Sequence, residues 1–357
     1  MKCVMKLSEV PLHLYQIIAG FSMLDRLGEI ELKIKKLKPG SGDVLPYNML
    51  EVEADGKRLI YDMNDGYDNL CFGKGDWREL YNGLLERCDF LFKRSFNAEM
   101  NSQLKNYQKI EMTAPNFFVT IKASPAHFPV PCDPRREKLK KLVRLFPGSE
   151  FYNGHCLEEK FKMKPVVNEN PRILFMARLW DPKGEFEGQL NEEKSEERHR
   201  INEIRANCIR LCRKEFGGSF FGGVALSAFS KAQYGDVVLD DTSASKKDAY
   251  LRAMKSFDIH IATAGLHKST GWKFAEYLAA SKAIVAEPLF YSSAGGLRDG
   301  VNYLSFRDEF ECVERIRELL DSRRRYEMMK ANDRYYDENM KCAVLVRNTL
   351  RCIERSD

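Results

Sequence analysis

The stretch GLHKSTGWKFAEYLAASKAIVAEPL (Gly265–Leu289) decides the fold class of this chain. It predicts the end of a strand, a polar loop, a helix that begins at Trp272, and a second strand over AIVAEPL. The loop HKSTG lies directly before the helix, where backbone N–H groups and the positive end of the helix dipole favour an anion. We therefore predict an anion-binding loop at the carboxyl end of a strand.

Side chains of the same stretch extend this predicted site. Lys273 lies in the first helical turn, where a cation opposes the helix dipole unless a phosphate is present. Glu276, one turn later, can accept hydrogen bonds from sugar hydroxyls, and the glycine of the loop permits close approach of a ligand. The alternative is an ordinary capped helix with a solvated lysine and glutamate. The predicted ligand-binding residues are His267, Lys268, Ser269, Thr270, Gly271, Lys273 and Glu276.

The second half of the chain alternates strands with helices. RILFMAR, SFFGGVAL and DIHIATA read as buried strands, and INEIRANCIRLCRKEF and KKDAYLRAMKSF read as amphipathic helices. EEKSEERHR (Glu192–Arg200) reads as a charged loop, and a helical tail runs from Cys312 to Asp357. Strands separated by helical crossovers predict a parallel, doubly wound sheet with its ligand at the carboxyl ends of the strands.

The first half contains a second set of elements. Leu12–Arg26 reads as a helix, EIELKIKKL as a strand and WRELYNGLLERC as a helix. MLEVEADGKRLIYD predicts a hairpin with its turn at Asp55-Gly56, and DFLFKRSF and KIEMTAPNFFV read as strands. The pattern weakens between Phe146 and Arg172, which we interpret as a linker. A chain of 357 residues is long enough for two domains.

Composition excludes several classes of protein. With 44% hydrophobic and 31% charged residues, the chain is predicted to be globular, and no run reaches the roughly 20 apolar residues of a membrane helix. The N-terminus lacks a clean apolar stretch and a cleavage site, so the cytoplasm is the expected location. The ten cysteines form no CxxC pair and never cluster with histidine at metal-ligand spacing. They are therefore expected to be reduced thiols, and no metal site is predicted.

One basic segment stands out from a net charge of only +5. DPRREKLKKLVRLF (Asp133–Phe146) reads as an amphipathic helix with arginines and lysines around an apolar face. It is typical of a solvated surface helix, and the alternative is contact with an anionic membrane surface or an acidic acceptor. Aromatic residues do not interleave with the basic ones and no nucleic-acid motif is present, so nucleic acid is not an expected partner.

A second motif adds cations to the predicted anion site. ARLWDPKG follows the first strand of the second half and places Arg178 and Lys183 at the carboxyl end of that strand. Two positive charges beside a helix N-terminus would clamp a diphosphate. Together, the two motifs indicate a nucleotide or nucleotide-like ligand.

These residues resemble the donor-binding half of the GT-B glycosyltransferases, in particular the retaining glycogen-synthase-like and family 4 (group 1) enzymes of bacterial polysaccharide assembly. In that group a strand is followed by an arginine and, five residues later, by Lys-Gly, which Arg178 and Lys183 match. The group also carries Glu-x7-Glu with a glycine three places after the first glutamate. Gly271 and Glu276 match the glycine and the second glutamate, whose implied role is to hold the ribose.

The chain departs from this pattern at one position. Lys268 occupies the place of the first glutamate, which in the family helps to hold the donor sugar. In this chain Lys268 and His267 are therefore expected to contact donor phosphate or an acidic sugar.

The resemblance implies a fold and an activity. The expected fold is α/β of the GT-B type, with two Rossmann-like domains and an interdomain cleft. Residues 1–165 would bind the acceptor, residues 166–340 would bind the nucleotide sugar, and a helix over 341–357 would pack back on the first domain. The expected activity is transfer of a hexose-type sugar from a UDP- or GDP-linked donor to a glycan or lipid-linked acceptor in cell-surface polysaccharide synthesis. No metal or other cofactor is expected, since the chain contains no Asp-x-Asp motif.

The acceptor side rests on two stretches of the first half. YDMNDGYDN follows a strand, and it is either a polar turn or a loop in which Asp65 contacts the acceptor hydroxyl or acts as general base. FKRSF also ends a strand, and Lys93 and Arg94 could face phosphate of a lipid-linked or nucleotide substrate. The predicted catalytic residues are Arg178, Lys183 and Asp65, and the acceptor-side candidates are Asp62, Lys93 and Arg94.

Two other functions compete with glycosyl transfer. A nicotinamide or flavin oxidoreductase would need G-x-G-x-x-G after an early strand, and none is present. A non-catalytic protein could keep the fold and bind a nucleotide sugar or another protein. A sugar-nucleotide hydrolysis or transfer assay separates this second possibility from an enzyme.

Overall fold

The structure of the protein is a computed structural model that describes residues 1–8, 10–37, 45–68, 75–126, 156–184, 190–239, 241 and 246–354. The chain divides into two compact units. Unit one comprises Met1–Lys160, Tyr291–Gly296 and Asp337–Asp357, and unit two comprises Phe161–Phe290 and Leu297–Tyr336. The sequence did not predict that the short segment Tyr291–Gly296 belongs to unit one.

The helices of the described residues are numbered in chain order. They are α1 (Tyr15–Arg26), α2 (Trp77–Arg87), α3 (Ala98–Asn101), α4 (Glu158–Phe161), α5 (Glu192–Phe216), α6 (Ala228–Gln233), α7 (Lys247–Ser256), α8 (Trp272–Ala279), α9 (Glu309–Leu320), α10 (Ser322–Tyr335) and α11 (Cys342–Glu354). The basic segment Asp133–Phe146, predicted as an amphipathic helix, lies outside the described residues.

Unit one is built on a mixed sheet. Its strands are β1 (Lys2–Leu7), β2 (Glu31–Lys36), β3 (Met49–Ala54), β4 (Lys57–Asp62), β5 (Phe90–Lys93) and β6 (Ile110–Met112), in the order β2-β1-β3-β4-β5-β6. Only β3 runs against its neighbours, β1 and β4. The carboxyl ends of β1, β4 and β5 therefore lie along the same edge.

The predicted hairpin is confirmed. β3 and β4 pair antiparallel, and the two turn residues, Asp55 and Gly56, have φ of 46° and 82°. Positive φ at both positions is what a two-residue turn between right-twisted strands requires. The strand predicted over KIEMTAPNFFV is shorter than expected, because only Ile110–Met112 pairs with β5.

The C-terminal helix α11 packs on α1 within unit one. A Cβ atom on Gly20 of α1 would lie 2.2 Å from the carbonyl oxygen of Cys342 and 2.5 Å from the side chain of Val346. Only glycine permits this close approach of the two helices. Nearby, the Gln16 side chain donates to the Met340 carbonyl at 2.6 Å.

Unit two is built on a fully parallel sheet, as the sequence predicted. Its strands are β7 (Ile173–Ala177), β8 (Phe220–Val224), β9 (Ile259–Ala262), β10 (Ala283–Ala286) and β11 (Leu304–Ser305), in the order β11-β10-β9-β7-β8. Every residue of β9 and β10 is buried, which is typical of strands covered by helices on both faces. The predicted α/β fold class, with a helix-flanked sheet in each unit, is confirmed.

The charged loop predicted over Glu192–Arg200 is wrong, because these residues form the first turns of α5. The Asn191 side chain accepts a hydrogen bond from the Lys194 N–H and caps the helix. Glu192 and Glu193 lie in the first turn, where carboxylates favour the helix dipole. The stretch resembles a loop in sequence because the buried face of this part of α5 is polar and leaves no apolar stripe.

All cysteines in the described ranges are free thiols, as expected from their spacing. In those ranges no helix has the length and apolar character that a membrane span needs.

Candidate functional site

The candidate site lies at the carboxyl edge of the unit-two sheet, which we call the unit-two edge. Three loops meet there, because β7, β9 and β10 are parallel and adjacent. They are residues 178–184 after β7, residues 263–271 after β9, and residues 287–290 after β10. The edge therefore holds both motifs that the sequence singled out.

The loop after β7 presents Arg178 on an aromatic platform. The Arg178 guanidinium lies over the ring of Trp180, 3.7 Å from the ring centroid. Asn202 of α5 holds the Trp180 backbone from both sides: its side chain accepts from the Trp180 N–H at 2.9 Å and donates to the Trp180 carbonyl at 2.7 Å. A cation stacked on a fixed ring is oriented before any ligand arrives.

The same loop carries Lys183 in a tight turn. The Asp181 side chain accepts from the Lys183 N–H at 2.9 Å, and Gly184 closes the turn with φ of 83°. The Lys183 side chain is exposed. Arg198 of α5 donates to the Asp181 carbonyl at 2.8 Å, so α5 supports this part of the loop as well.

Arg205 of α5 joins the first loop to the second. Its guanidinium donates to the Arg178 carbonyl at 2.5 Å, to the Ala264 carbonyl at 2.8 Å and to the Thr263 hydroxyl at 2.9 Å. Burial lowers the pKa of Arg205 to about 10, with the Arg178 guanidinium acting in the same direction. Arg205 was not predicted as a site residue, although its spacing from Arg198 and Asn202 places the three on one helical face.

The loop after β9 has an unusual backbone. His267 and Lys268 both have positive φ, 58° and 56°, although neither is glycine. Such conformations are costly for these residues and cluster at functional sites. The Ser269 N–H donates to the Leu266 carbonyl at 3.1 Å, and the Ser269 carbonyl accepts from the Gly265 N–H at 2.8 Å. The backbone N–H and carbonyl of Ser269 therefore hold the loop together. This corrects the prediction that the Ser269 N–H donates to an anion.

Helix α8 begins directly after this loop, as predicted. Its N-cap residue is Gly271, which has no side chain to satisfy the first-turn N–H groups. Gly271 has φ of −65°, and a Cβ atom there would meet nothing closer than the Thr263 carbonyl oxygen at 3.9 Å. Neither the backbone nor packing requires glycine, so its absent side chain leaves room for a ligand beside the helix N-terminus.

An open pocket adjoins this helix N-terminus. It is lined by residues 262–264, 268–271 and 274, and by 286–290. The Lys268 ammonium lies over the Phe290 ring, 4.5 Å from its centroid. Glu287 faces the pocket but accepts a hydrogen bond from the Ala264 N–H at 2.7 Å, which fixes its carboxylate to the second loop.

The predicted pair Lys273 and Glu276 lies in a cluster with α7 in which Glu276 and Tyr250 are buried. Both oxygens of Glu276 are engaged, one by the Lys247 ammonium at 2.5 Å and one by the Tyr250 hydroxyl at 2.7 Å. The Lys273 ammonium lies over the Tyr250 ring, 3.9 Å from its centroid. Burial lowers the pKa of Lys273 to about 8, with Lys247 and Arg205 adding to the effect and Glu276 opposing it. Lys247 and Tyr250 were not predicted from the sequence.

The acceptor-side candidates lie at the carboxyl edge of the unit-one sheet, which we call the unit-one edge. Asp62 and Lys93 end β4 and β5, and both are fully buried with 2.6 Å between their charged atoms. Lys93 also donates to the Tyr81 hydroxyl at 2.7 Å and lies over the rings of Tyr67 and Tyr81. Side chains enclosed in this way have no surface for an acceptor, so we assign Asp62 and Lys93 to the support of the edge.

Asp65 and Arg94 lie nearer to solvent at the same edge. The Arg94 guanidinium binds the Asp65 carboxylate at 2.5 Å, and 28% of the Asp65 side chain is exposed. His13, which follows β1, is 3.5 Å from the same guanidinium nitrogen. Burial, together with the Arg94 charge, lowers the pKa of His13 to about 4, so its imidazole is neutral at pH 7. The sequence did not predict His13, whose signal is its position after a parallel strand.

The structure thus brings the predicted residues together in two groups. Arg178, Lys183 and the residues from His267 to Glu276 lie at the unit-two edge, and Asp62, Asp65, Lys93 and Arg94 lie at the unit-one edge. Among the described residues, no three His, Cys, Asp or Glu side chains are arranged to hold a metal ion.

No protein-family model matches the chain, and no curated protein has a significantly similar sequence.

Glycosyltransferases are among the solved structures to which the chain is similar. HepE of Anabaena in complex with UDP-glucose is 11% identical over 99% of this chain and 100% of that one, with a TM-score of 0.47. A TarM mutant of S. aureus, in complex with fondaparinux, α-GlcNAc-glycerol and UDP, is 11% identical over 80% of this chain and 48% of that one, with a TM-score of 0.42. The C-terminal domain of LpcC, a glycosyl transferase group 1 family protein from Francisella tularensis, is 10% identical over 52% of this chain and 97% of that one, with a TM-score of 0.33. At these identities and TM-scores, the likeness says nothing about the activity or substrates of this chain.

Proposed function

We propose that the protein is a glycosyltransferase whose unit two binds a nucleotide-sugar donor through its diphosphate. One observation carries the proposal: the unit-two edge holds cations of two loops, Arg178 and Lys268, and an uncapped helix N-terminus. A diphosphate matches this set, because it offers two adjacent anionic groups to cations and backbone N–H groups. UDP and GDP are the nucleotides to test first, and UDP is the one bound in the HepE and TarM complexes.

The proposed chemistry depends on stabilising the leaving group. As the bond between sugar and diphosphate breaks, negative charge grows on the diphosphate oxygens. Arg178 and Lys183 would stabilise that charge, and because Arg178 is already oriented on Trp180 this costs little reorganisation in the transition state. Lys273 would add a third positive charge from the first turn of α8. Under this proposal protein cations supply the countercharge, so donor binding is expected without added magnesium.

Two residues of the site bear on the donor sugar. We propose that Glu276 holds the ribose, which requires the ribose hydroxyls to replace Lys247 or Tyr250 on its carboxylate. Lys268, which stands where the resembled family has a glutamate, would contact donor phosphate or an acidic sugar from its position over Phe290. Lys268→Glu tests this role, and donor binding should be abolished.

We place acceptor binding on unit one, at Asp65 and Arg94. The Arg94 N–H donates to the carbonyl of the buried Asp62 at 3.0 Å, and Asp65 keeps part of its carboxylate exposed. A carboxylate in this position can accept a hydrogen bond from an acceptor hydroxyl. We further propose that the acceptor is a glycan or a lipid-linked molecule and that the protein acts in cell-surface polysaccharide synthesis.

A non-catalytic, nucleotide-sugar-binding protein is the second candidate. The observation that favours it is Glu276, whose carboxylate is already occupied by two protein groups. A panel of UDP- and GDP-sugars, assayed for nucleoside diphosphate release with and without acceptor glycans, separates the two. Release by the wild type, and its loss in Lys183→Ala, is the expected result; donor binding with no release from any sugar would favour the binding protein.

A further inference from the structure

Arg205 connects two loops that the proposed function uses separately. Its three hydrogen bonds reach the carbonyl of Arg178 in the loop after β7, and Thr263 and Ala264 in the loop after β9. Arg205 is only 7% exposed, so these bonds are shielded from water. Because a guanidinium is planar and rigid, three bonds to two loops fix the separation of those loops.

The charge of Arg205 has no carboxylate partner among the described residues. Its bonds go to two carbonyl oxygens and one hydroxyl, which are neutral acceptors. The carboxylate of Glu287 acts on it only from a distance, while the like charge of Arg178 acts against it. A buried charge without an ion-pair partner is costly, and an approaching anion would relieve that cost.

We propose that Arg205 is the positioning residue of the donor site: it sets the spacing between the Arg178 loop and the α8 loop, and supplies a fixed buried positive charge that the donor diphosphate neutralises. The proposal rests on the proposed function for its ligand, but the positioning part stands on loop geometry alone. The resemblance to known glycosyltransferases assigns no role to this residue.

Arg198 is a matched control on the same helix. It is also 7% exposed and also donates to a loop carbonyl, that of Asp181. The contacts described for it, with the Asp181 carbonyl and the Trp180 ring, belong to the loop after β7. If joining the two loops is what matters, equivalent changes at Arg205 and Arg198 should affect different parts of the unit-two edge.

Hydrogen–deuterium exchange of the ligand-free protein tests the positioning part. In Arg205→Gln, amides of residues 178–184 and 263–271 should both exchange faster, whereas in Arg198→Gln only the first loop should change. Exchange unchanged in Arg205→Gln, or raised in one loop alone, would overturn the proposal. If Arg205→Gln does not fold, Arg205→Lys is measured in its place, since lysine cannot bind both loops with fixed geometry.

Binding of inorganic pyrophosphate and UDP tests the charge. Arg205→Lys and Arg205→Met both lose the geometry of the three hydrogen bonds, but only Arg205→Lys keeps the positive charge. Calorimetry should therefore show Arg205→Lys binding pyrophosphate about tenfold more tightly than Arg205→Met. Uridine has no phosphate, so it should bind both variants equally, which ligand-observed NMR measures. If the role of Arg205 were purely structural, the two variants would not differ in their binding of UDP either.

The outcomes separate this proposal from the proposed function. Equal pyrophosphate affinity in the lysine and methionine variants would refute the role of the charge. Pyrophosphate binding that follows the charge, with no binding of UDP or GDP by the wild type, would leave Arg205 as an anion-site residue and refute the glycosyltransferase assignment instead.

Discussion

Both sheets carry charged loops at their carboxyl edges, but the cations of the two edges have different partners. At the unit-one edge two described cations meet carboxylates: Lys93 binds Asp62 and Arg94 binds Asp65. At the unit-two edge Lys247 binds Glu276, but Arg205 binds neutral oxygens and Lys273 lies over an aromatic ring. This contrast supports our proposal that the unit-two edge binds an anion, whereas Lys93 and Arg94 at the unit-one edge are neutralised by the protein.

The largest effect is expected when the buried ion pair of unit one, Lys93 with Asp62, is broken. Lys93→Met would leave the Asp62 carboxylate buried without its cation and should lower the free energy of unfolding of unit one by about 3–5 kcal/mol. Native-state hydrogen exchange of β4 and β5 measures it. Lys6→Met is the control, because Glu51 keeps Arg58 at 3.3 Å when Lys6 is removed. A loss no larger than that of the control would mean that the buried pair is not the support of this edge.

The second largest effect is expected when cations of unit two are removed. Arg178→Ala and Lys183→Ala should each lower kcat by the equivalent of about 2–4 kcal/mol, since each is proposed to stabilise charge that grows in the transition state. Steady-state kinetics with the active nucleotide sugar is the measurement. Lys214→Ala, an exposed change on α5, has the same effect on net charge and should leave kcat unchanged. Wild-type kcat in both site variants would remove these residues from the site.

The smallest effect concerns the titration of Lys273, whose pKa is about 8 in the free protein. An anion binds the ammonium form, which is lost as the pH rises through that value. UDP affinity should therefore fall between pH 7 and pH 9, by at most about tenfold per pH unit.

Calorimetry at several pH values tests this titration. Lys273→Arg carries a charge that does not titrate in the range, so its affinity should stay level apart from ionisation of UDP itself. An equal slope in the wild type and in Lys273→Arg would exclude Lys273 as the titrating group.

Periodicity was sufficient to predict the parallel sheet of unit two and the start of α8. It failed at the first turns of α5, because their inward-facing residues, Arg198 and Asn202, are polar and hold loop backbone rather than packing in an apolar core. Hydrophobic spacing carries no signal for a helix face of that kind. The only sign of this face in the sequence is the spacing of Arg198, Asn202 and Arg205, which are four and then three residues apart.

For the candidate site, the sequence located the loops but not their internal bonds. Arg178, Lys183 and Gly271 follow strand ends and could be placed from topology alone. The burial of Asp62 and Lys93 could not, because it depends on Tyr67 and Tyr81, whose rings enclose the ammonium group in three dimensions. The same holds for Glu276, whose partners Lys247 and Tyr250 come from another helix.

The most direct test of the central claim is calorimetric titration of the wild-type protein with UDP and GDP in the presence of EDTA. Under the proposed function, cations of the protein provide the countercharge at the unit-two edge, so one of the two nucleotides should bind without metal. Gly271→Ala should keep its fold, because the backbone φ of −65° suits alanine, but its methyl group should weaken that binding. Binding of neither nucleotide at millimolar concentration, together with binding of NAD, would contradict the account.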